Sequence, residues 1–216
     1  MITVVGSINA DLTVNVERHP LPGETLLGGG GAVTAGGKGA NQAVAAAKLG
    51  AKVALVGAVG TDANAEPAPA LLREAGVDLS HVEEVAALGG KPVVTGLAVI
   101  TVSADGENTI IVAPGANRAV DAGCVDKHAA PIAAADLVLL QGEIPADGIT
   151  RAAEIARGRV VINLAPVVDV PREALLRADP LLANEHEAGL ILEQLGLPAG
   201  GEPEELAERL RGAGFA

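Results

Sequence analysis

The sequence predicts a three-layer αβα fold on a mostly parallel, Rossmann-like sheet, with a small β-sheet lid standing off it. Three observations predict this. Short β-branched runs alternate with alanine- and leucine-rich helical segments over most of the chain, as in strand–helix–strand units whose strands are buried on both faces. Glycines such as Gly50 and Gly76 stop the helical segments,. Two interruptions, near Leu12–Val33 and Val93–Ala113, carry amphipathic strands with no helix between them. They are read as one sheet over the edge where open α/β sheets bind ligands. The expected division is 1–11, 34–92 and 114–216 for the core, and 12–33 and 93–113 for the lid.

Taken in order, Ile2–Gly6 is a β-branched run ending at glycine and predicts a buried strand,. Leu12–Val16 alternates apolar and polar residues, His19–Thr25 is a turn, and the stretch from Thr25 to Val33 is a strand loosened by four glycines. Lys38–Leu49 predicts a helix, Lys52–Gly60 a buried strand and Ala68–Gly76 a helix with its glycine stop,. Val93–Gly115 is two β runs joined at Asp105-Gly106, a favoured pair for a tight hairpin,. The alternation then resumes: a strand runs into Gln141–Pro145, a helix follows, and a second strand enters the Asn163–Pro166 loop. A short strand before Asn184 and two further helices follow. The alternation predicts another strand where the chain stops, so the chain is expected to be a fragment.

Composition narrows the function. The 216 residues are 49% hydrophobic, yet Phe215 is the only aromatic residue. The core must be aliphatic, and no ring is available upstream to stack on a base or sugar. The net charge of −12, from 15 basic and 27 acidic residues, makes nucleic acid and anionic membranes poor partners. A single cysteine, Cys124, excludes an internal disulfide framework. The N-terminus lacks the form of a signal peptide. A cytoplasmic setting is therefore expected. His19, His81, His128 and His186 show no metal-binding spacing. With Cys124 they are read as structural or surface residues.

The segment TAGGKGANQAVAAAKLG (Thr34–Gly50) raises the question of function. A Walker A loop needs Gly-Lys-Ser/Thr, but Gly39 follows Lys38, and Ala32 stands where the first glycine belongs,. A Gly-x-Gly-x-x-Gly reading from Gly37 fails at Gln42. What remains is bare backbone at Gly36 and Gly37, a cation at Lys38, and a donor–acceptor at Asn41, a mixture suited to a polyol as well as an anion. Asn9 and Asp11 follow the first strand, Glu143 another, and Asn184, Glu185 and Glu187 a third. Each alone is ordinary, because turns favour Asn and Asp and carboxylates favour helix N-termini. Their recurrence at one sheet edge points to a polar site.

These blocks resemble the ribokinase family, the PfkB-type carbohydrate kinases, along the whole chain. The resemblance rests on GSINAD, PGET, GGKGANQAVAAAKLGA, GTD, DGEN, PGAN, QGEIP, NLAP and ANEHEA. It implies ATP-dependent phosphorylation of the 5-hydroxyl of D-ribose. It assigns Asn9, Asp11, Gly36, Gly37, Lys38, Asn41 and Glu143 to the sugar, Asn184 to the ATP phosphates, and Glu187 to Mg2+, through water. It also implies a homodimer through the lid. The family's base is the aspartate of a Gly-Ala-Gly-Asp motif, which also forms the anion hole. Here Gly212–Gly214 is followed by Phe215 and Ala216, so no catalytic base is expected among the 216 residues. The adenine pocket and a monovalent-cation (K+) site would lie beyond them too. The chain alone is thus expected to be inactive or nearly so. The alternatives are a family member acting on fructose, a deoxy-sugar acid or a nucleoside, and a non-catalytic sugar-binding protein.

Overall fold

A computed structural model describes residues 1–216. The chain runs β1 (Ile2–Val5), β2 (Asn9–Asn15), β3 (Gly29–Gly36), α1 (Lys38–Lys48), β4 (Val53–Val59), α2 (Ala70–Glu74) and β5 (Asp78–Glu84). The short β6 (Ala87–Leu88) and β7 (Lys91–Pro92) lead to β8 (Gly96–Val102) and β9 (Asn108–Ala113). After a 3-10 turn at Gly115–Ala119 come α3 (Ala122–Lys127), α4 (Ala129–Ala134), β10 (Leu137–Gln141), α5 (Ala146–Ile155) and β11 (Arg159–Asn163). The chain continues through α6 (Arg172–Leu175), β12 (Ala178–Leu182), α7 (Glu185–Gln194) and α8 (Pro203–Gly212).

Six parallel strands form the main sheet in the order β12-β11-β10-β1-β4-β5. Alternate strand residues feed two cores. Val5, Val56, Val138, Leu140 and Ile162 pack on one face, with Val125 of α3 and Ile149 of α5. Val4, Val53, Leu55 and Val59 pack on the other, with Ala40 and Ala43 of α1 and Leu72 of α2. This is the three-layer arrangement that the alternation predicts. Burying each of these valine, leucine and isoleucine side chains contributes about 1.5–3 kcal/mol. Phe215, the lone aromatic, is buried in the first core. Strand β5 and helices α3 and α4, which carry weak sequence signals, complete the layers.

The second sheet has the order β3-β2-β8-β9 and joins both interruptions of the alternation. Its central pair β2–β8 is parallel, and the outer pairs are antiparallel. Strand β2 begins at Asn9 and β3 ends at Gly36. The loop residues thus sit at the root of this sheet. Strand β3 starts at Gly29, so of the expected run only the glycine end is extended; Thr25–Gly28 is irregular.

From β1 the chain proceeds one way through β4 to β5, and later the other way through β10 and β11 to β12. The order reverses between β1 and β10. That crevice, at the carboxyl ends of the strands, is where open α/β sheets place ligands.

Candidate functional site

The turn after β1 and the turn after β10 meet at this switch point. Ser7, fully buried, donates its hydroxyl to Glu143 Oε2 at 2.5 Å and accepts from the Gly39 amide at 3.2 Å. The Lys38 amide donates to the same Glu143 oxygen at 3.0 Å. The Ala40 amide donates to the Ser7 carbonyl at 2.9 Å. The first amides of α1 are thus already satisfied, and a carboxylate of the chain occupies the positive end of the helix dipole. This is the physical reason that the glycine loop is no phosphate cradle. Its glycines serve close approach instead. Gly37 has φ 93° and borders the Asn9 amide and Ser7 carbonyl so tightly that a Cβ would come within 2.9 Å of both. A Cβ on Gly39 would lie 2.6 Å from the Ser7 nitrogen.

Asn9 and Asp11 lie two apart on β2 and face the same side,. The buried Asn117 orients Asn9. Its Nδ2 donates to Asn9 Oδ1 at 2.7 Å, and its Oδ1 accepts from the Ile8 amide at 2.9 Å. Asn9 Nδ2 is left to donate into the cleft. Gly96 makes room for this pair: a Cβ there would lie 2.2 Å from Asn9 Oδ1. Asp11 Oδ1 is buried with no hydrogen-bond partner. Burial, and then the charge of Glu143, raises the Asp11 pKa above its ordinary value. An unpaired buried carboxylate oxygen beside a second carboxylate invites a hydroxyl donor.

Asn9, Asp11, Gly37, Lys38, Asn41, Glu143 and Glu187 line one cavity of about 370 Å³, with Pro166. Ala98, Ile100, Ile110 and Val112 of the second sheet roof it. The volume suits a small ligand. Lys38 makes no ion pair, and neither the Asn41 side chain nor Glu143 Oε1 has a protein partner. Gly36 is not in the wall. It backs Asp11, where a Cβ would fall 2.0 Å from the carboxylate. Asn184 also lies outside the wall and caps α7. Its Oδ1 accepts from the Glu187 amide and Glu187 Oε2 accepts from the Asn184 amide, each at 2.8 Å. This capping box is the structural alternative that helix-start carboxylates always carry.

A profile described as "pfkB family carbohydrate kinase" matches residues 1–214. The chain belongs to the PfkB family of carbohydrate kinases. Among curated relatives, it is 40% identical to a ribokinase of Haemophilus influenzae over 193 residues, 88% of this chain and 61% of that protein. The crystal structure of a Thermotoga maritima ribokinase superposes with a TM-score of 0.85 at 31% identity, covering 100% of this chain and 69% of that one. An Arabidopsis thaliana ribokinase complexed with ribose and ATP superposes with a TM-score of 0.80 at 34% identity, covering 97% of this chain and 67% of that one. The chain spans about three fifths of the length of the bacterial ribokinases it matches, 61% and 65% for two of them.

Within the PfkB frame, sequence reasoning found most of the cleft wall but missed its supports. Ser7 is visible only as a hydroxyl wedged after an apolar strand, Asn117 only as the last residue of PGAN, and Gly96 not at all. Each acts through a partner more than 20 residues away, which spacing along the chain does not reveal.

Proposed function

We propose that this cleft binds D-ribose and that the protein belongs to an ATP-dependent ribose kinase acting on the 5-hydroxyl. One observation carries the proposal. Asn9, Asp11, Lys38, Asn41 and Glu143 come from three separate stretches of chain and line a single cavity, with the Asp11 oxygen lacking a donor. Acceptors at Asp11 and Glu143 and donors at Asn9, Lys38 and Asn41 match the vicinal hydroxyls of a pentose. No aromatic residue lines the cavity, which favours a bare sugar over a nucleoside. The likeness to ribokinases, one of them complexed with ribose and ATP, supports the same choice.

The segments 12–33 and 93–113 act as the lid in this reading. Their apolar residues Ile100, Ile110 and Val112 cover the cleft and exclude water, which competes as a nucleophile. On the opposite face Val33, Leu12, Val99 and Ile111 are paired in one row across all four strands. Val33 is 47% and Ile111 72% exposed. That row supports a homodimer through the lid.

Transfer of the γ-phosphoryl group to the ribose oxygen needs alignment, a proton acceptor and positive charge on the phosphates. Glu187 fits a water-mediated role toward Mg2+, because its Oε1 remains free after Oε2 closes the capping box. Bound Mg2+ would neutralise phosphate charge. The side-chain Nδ2 of Asn184 makes no hydrogen bond within the chain and is free for the ATP phosphates. None of the 216 residues is assigned to K+ or to the base. The base and anion hole contribute about 10²–10⁴ and 10²–10³ in rate. The 216-residue chain alone therefore binds the sugar with little turnover. Titration calorimetry with D-ribose tests the reading: one site is expected, lost in Glu143→Ala. ADP release by this chain at an ordinary kinase rate would overturn the assignment of the base.

A further inference from the structure

Away from the cleft, the fold brings together side chains that are far apart in sequence. Glu83 lies on the edge strand β5, and Cys124 and His128 lie one helical turn apart at α3. One ligand atom of each falls within 4.8 Å of the others. His128 Nε2 is 3.2 Å from Glu83 Oε1. His81 shares the β5 face with Glu83, two residues away, and its ring stands edge-on to His128 with centroids 5.4 Å apart. Cys124 is buried; Glu83, His128 and His81 are half-buried. None of the four lines the cleft. Burial, with Glu83 next, pushes the Cys124 thiol up to about 11, so the metal-free thiol is inert.

The donor set is chemically selective. A sulfur, an imidazole nitrogen and a carboxylate oxygen, with a second imidazole ring edge-on to the first, are donors of the kinds that hold a tetrahedral Zn2+. Metal–ligand bonds of about 2.0–2.3 Å set neighbouring donors about 3.3–3.8 Å apart. From separations of up to 4.8 Å the three donors need to draw in by up to about 1.5 Å, within reach of side-chain torsions. The histidines carry no metal-binding spacing among themselves, but strand and helix each place a histidine on the same side as a second donor, His81 with Glu83 on β5 and Cys124 with His128 at α3,. Lys127 competes, with its ammonium 3.3 Å from Glu83 Oε1, but its side chain is 67% exposed and can swing into solvent.

We infer that Glu83, Cys124 and His128, with His81 as the fourth ligand, form a structural zinc site that clips the edge strand β5 to α3. On binding, the Cys124 S–H bond breaks, its proton passes to water, and a Zn–S bond forms with no change in oxidation state. The clip secures an edge strand that otherwise has one neighbour, β4. The inference does not depend on ribose binding.

The test uses the 216-residue chain stripped with chelator and titrated with Zn2+ alone against a chromophoric chelator, and separately with Co2+. One equivalent of Zn2+ is expected to bind and to raise Tm. Co2+ is expected to give a thiolate charge-transfer band and the intense visible bands of tetrahedral geometry. Cys124→Ser should abolish the charge-transfer band. Glu83→Gln and His128→Ala should weaken Zn2+ about 10-fold or more, since even outer partners of zinc ligands cost about 10–100-fold. Lys127→Ala should instead tighten binding, a change that misfolding cannot mimic. Absence of stoichiometric Zn2+ binding, a Co2+ spectrum without the sulfur band, or equal affinity in Cys124→Ser would overturn the inference.

Discussion

Replacing Asp11 by asparagine is expected to stabilise the ligand-free protein while weakening its grip on sugar. Asp11 Oδ1 is buried without a partner, and leaving such a group unpaired costs about 1–3 kcal/mol. Asparagine keeps the shape, removes the charge facing Glu143, and offers an amide that Glu143 Oε1 can accept. Because Asp11 is only half-buried, the gain is taken at the low end, about 1 kcal/mol. For a chain of this size that raises Tm by about 2–4 °C. The sign of the pH dependence follows from the raised pKa. Protonation of wild-type Asp11 contributes stability that is fully present below the ordinary value of 3.8 and is lost as pH rises through the raised folded value,. The advantage of Asp11→Asn should therefore shrink as pH falls toward 3.8. Binding moves the other way. Losing one hydrogen bond to a charged acceptor costs about 1.5–3 kcal/mol, or about 10- to 150-fold in the Kd for D-ribose. Thermal melts across pH, paired with titration calorimetry, measure both. A variant that melts lower than wild type at neutral pH, or binds ribose equally well, would refute the reasoning.

Other perturbations probe the supports. Gly96→Ala drives a methyl to 2.2 Å from Asn9 Oδ1 and 2.3 Å from Asn117 Nδ2. Ribose affinity should fall by at least about 10-fold and stability by about 1–3 kcal/mol, read by calorimetry and urea unfolding. At the root of the lid, Asp62 Oδ1 accepts from the Thr95 amide and hydroxyl, each at 2.7 Å. Burial alone would raise the Asp62 pKa, but these bonds and the Asn64 amide outweigh it and lower it. Stability from Asp62 is therefore present above 3.8 and lost as pH falls through the depressed value,. Asp62→Asn should lower stability at neutral pH and flatten the acid limb of an unfolding series. Ile111→Glu, on the exposed face of the lid, should convert a dimer to a monomer in light scattering without altering the ribose Kd.

The main sheet was legible because its strands are short aliphatic runs between glycine-stopped helices, and Ile2–Gly6 and Lys52–Gly60 needed no tertiary information. Strand β5 was not, because Asp78, Ser80, His81, Glu83 and Glu84 mask the period on an edge with one solvated side. The glycine loop showed what it was not, but its purpose depends on Ser7 and Glu143, 136 residues apart. The cleft wall was readable because acids and amides recur after successive strands. Its scaffold was not, because Asn117 and Gly96 act only through contacts across sheets. Asn184 and Glu187 show the limit of motif reading. The same two residues make a capping box and also fit a role toward phosphate and Mg2+.

The central claim is that the cleft between β2, the start of α1 and the turn after β10 is a pentose site. A crystal structure of the 216-residue chain grown with D-ribose tests it most directly. The account predicts the sugar between Asp11 and Glu143, with a hydroxyl donating to Asp11 Oδ1 and Asn9 Nδ2 donating to another. Ribose bound elsewhere, or a cleft holding only water at saturating sugar, would contradict it.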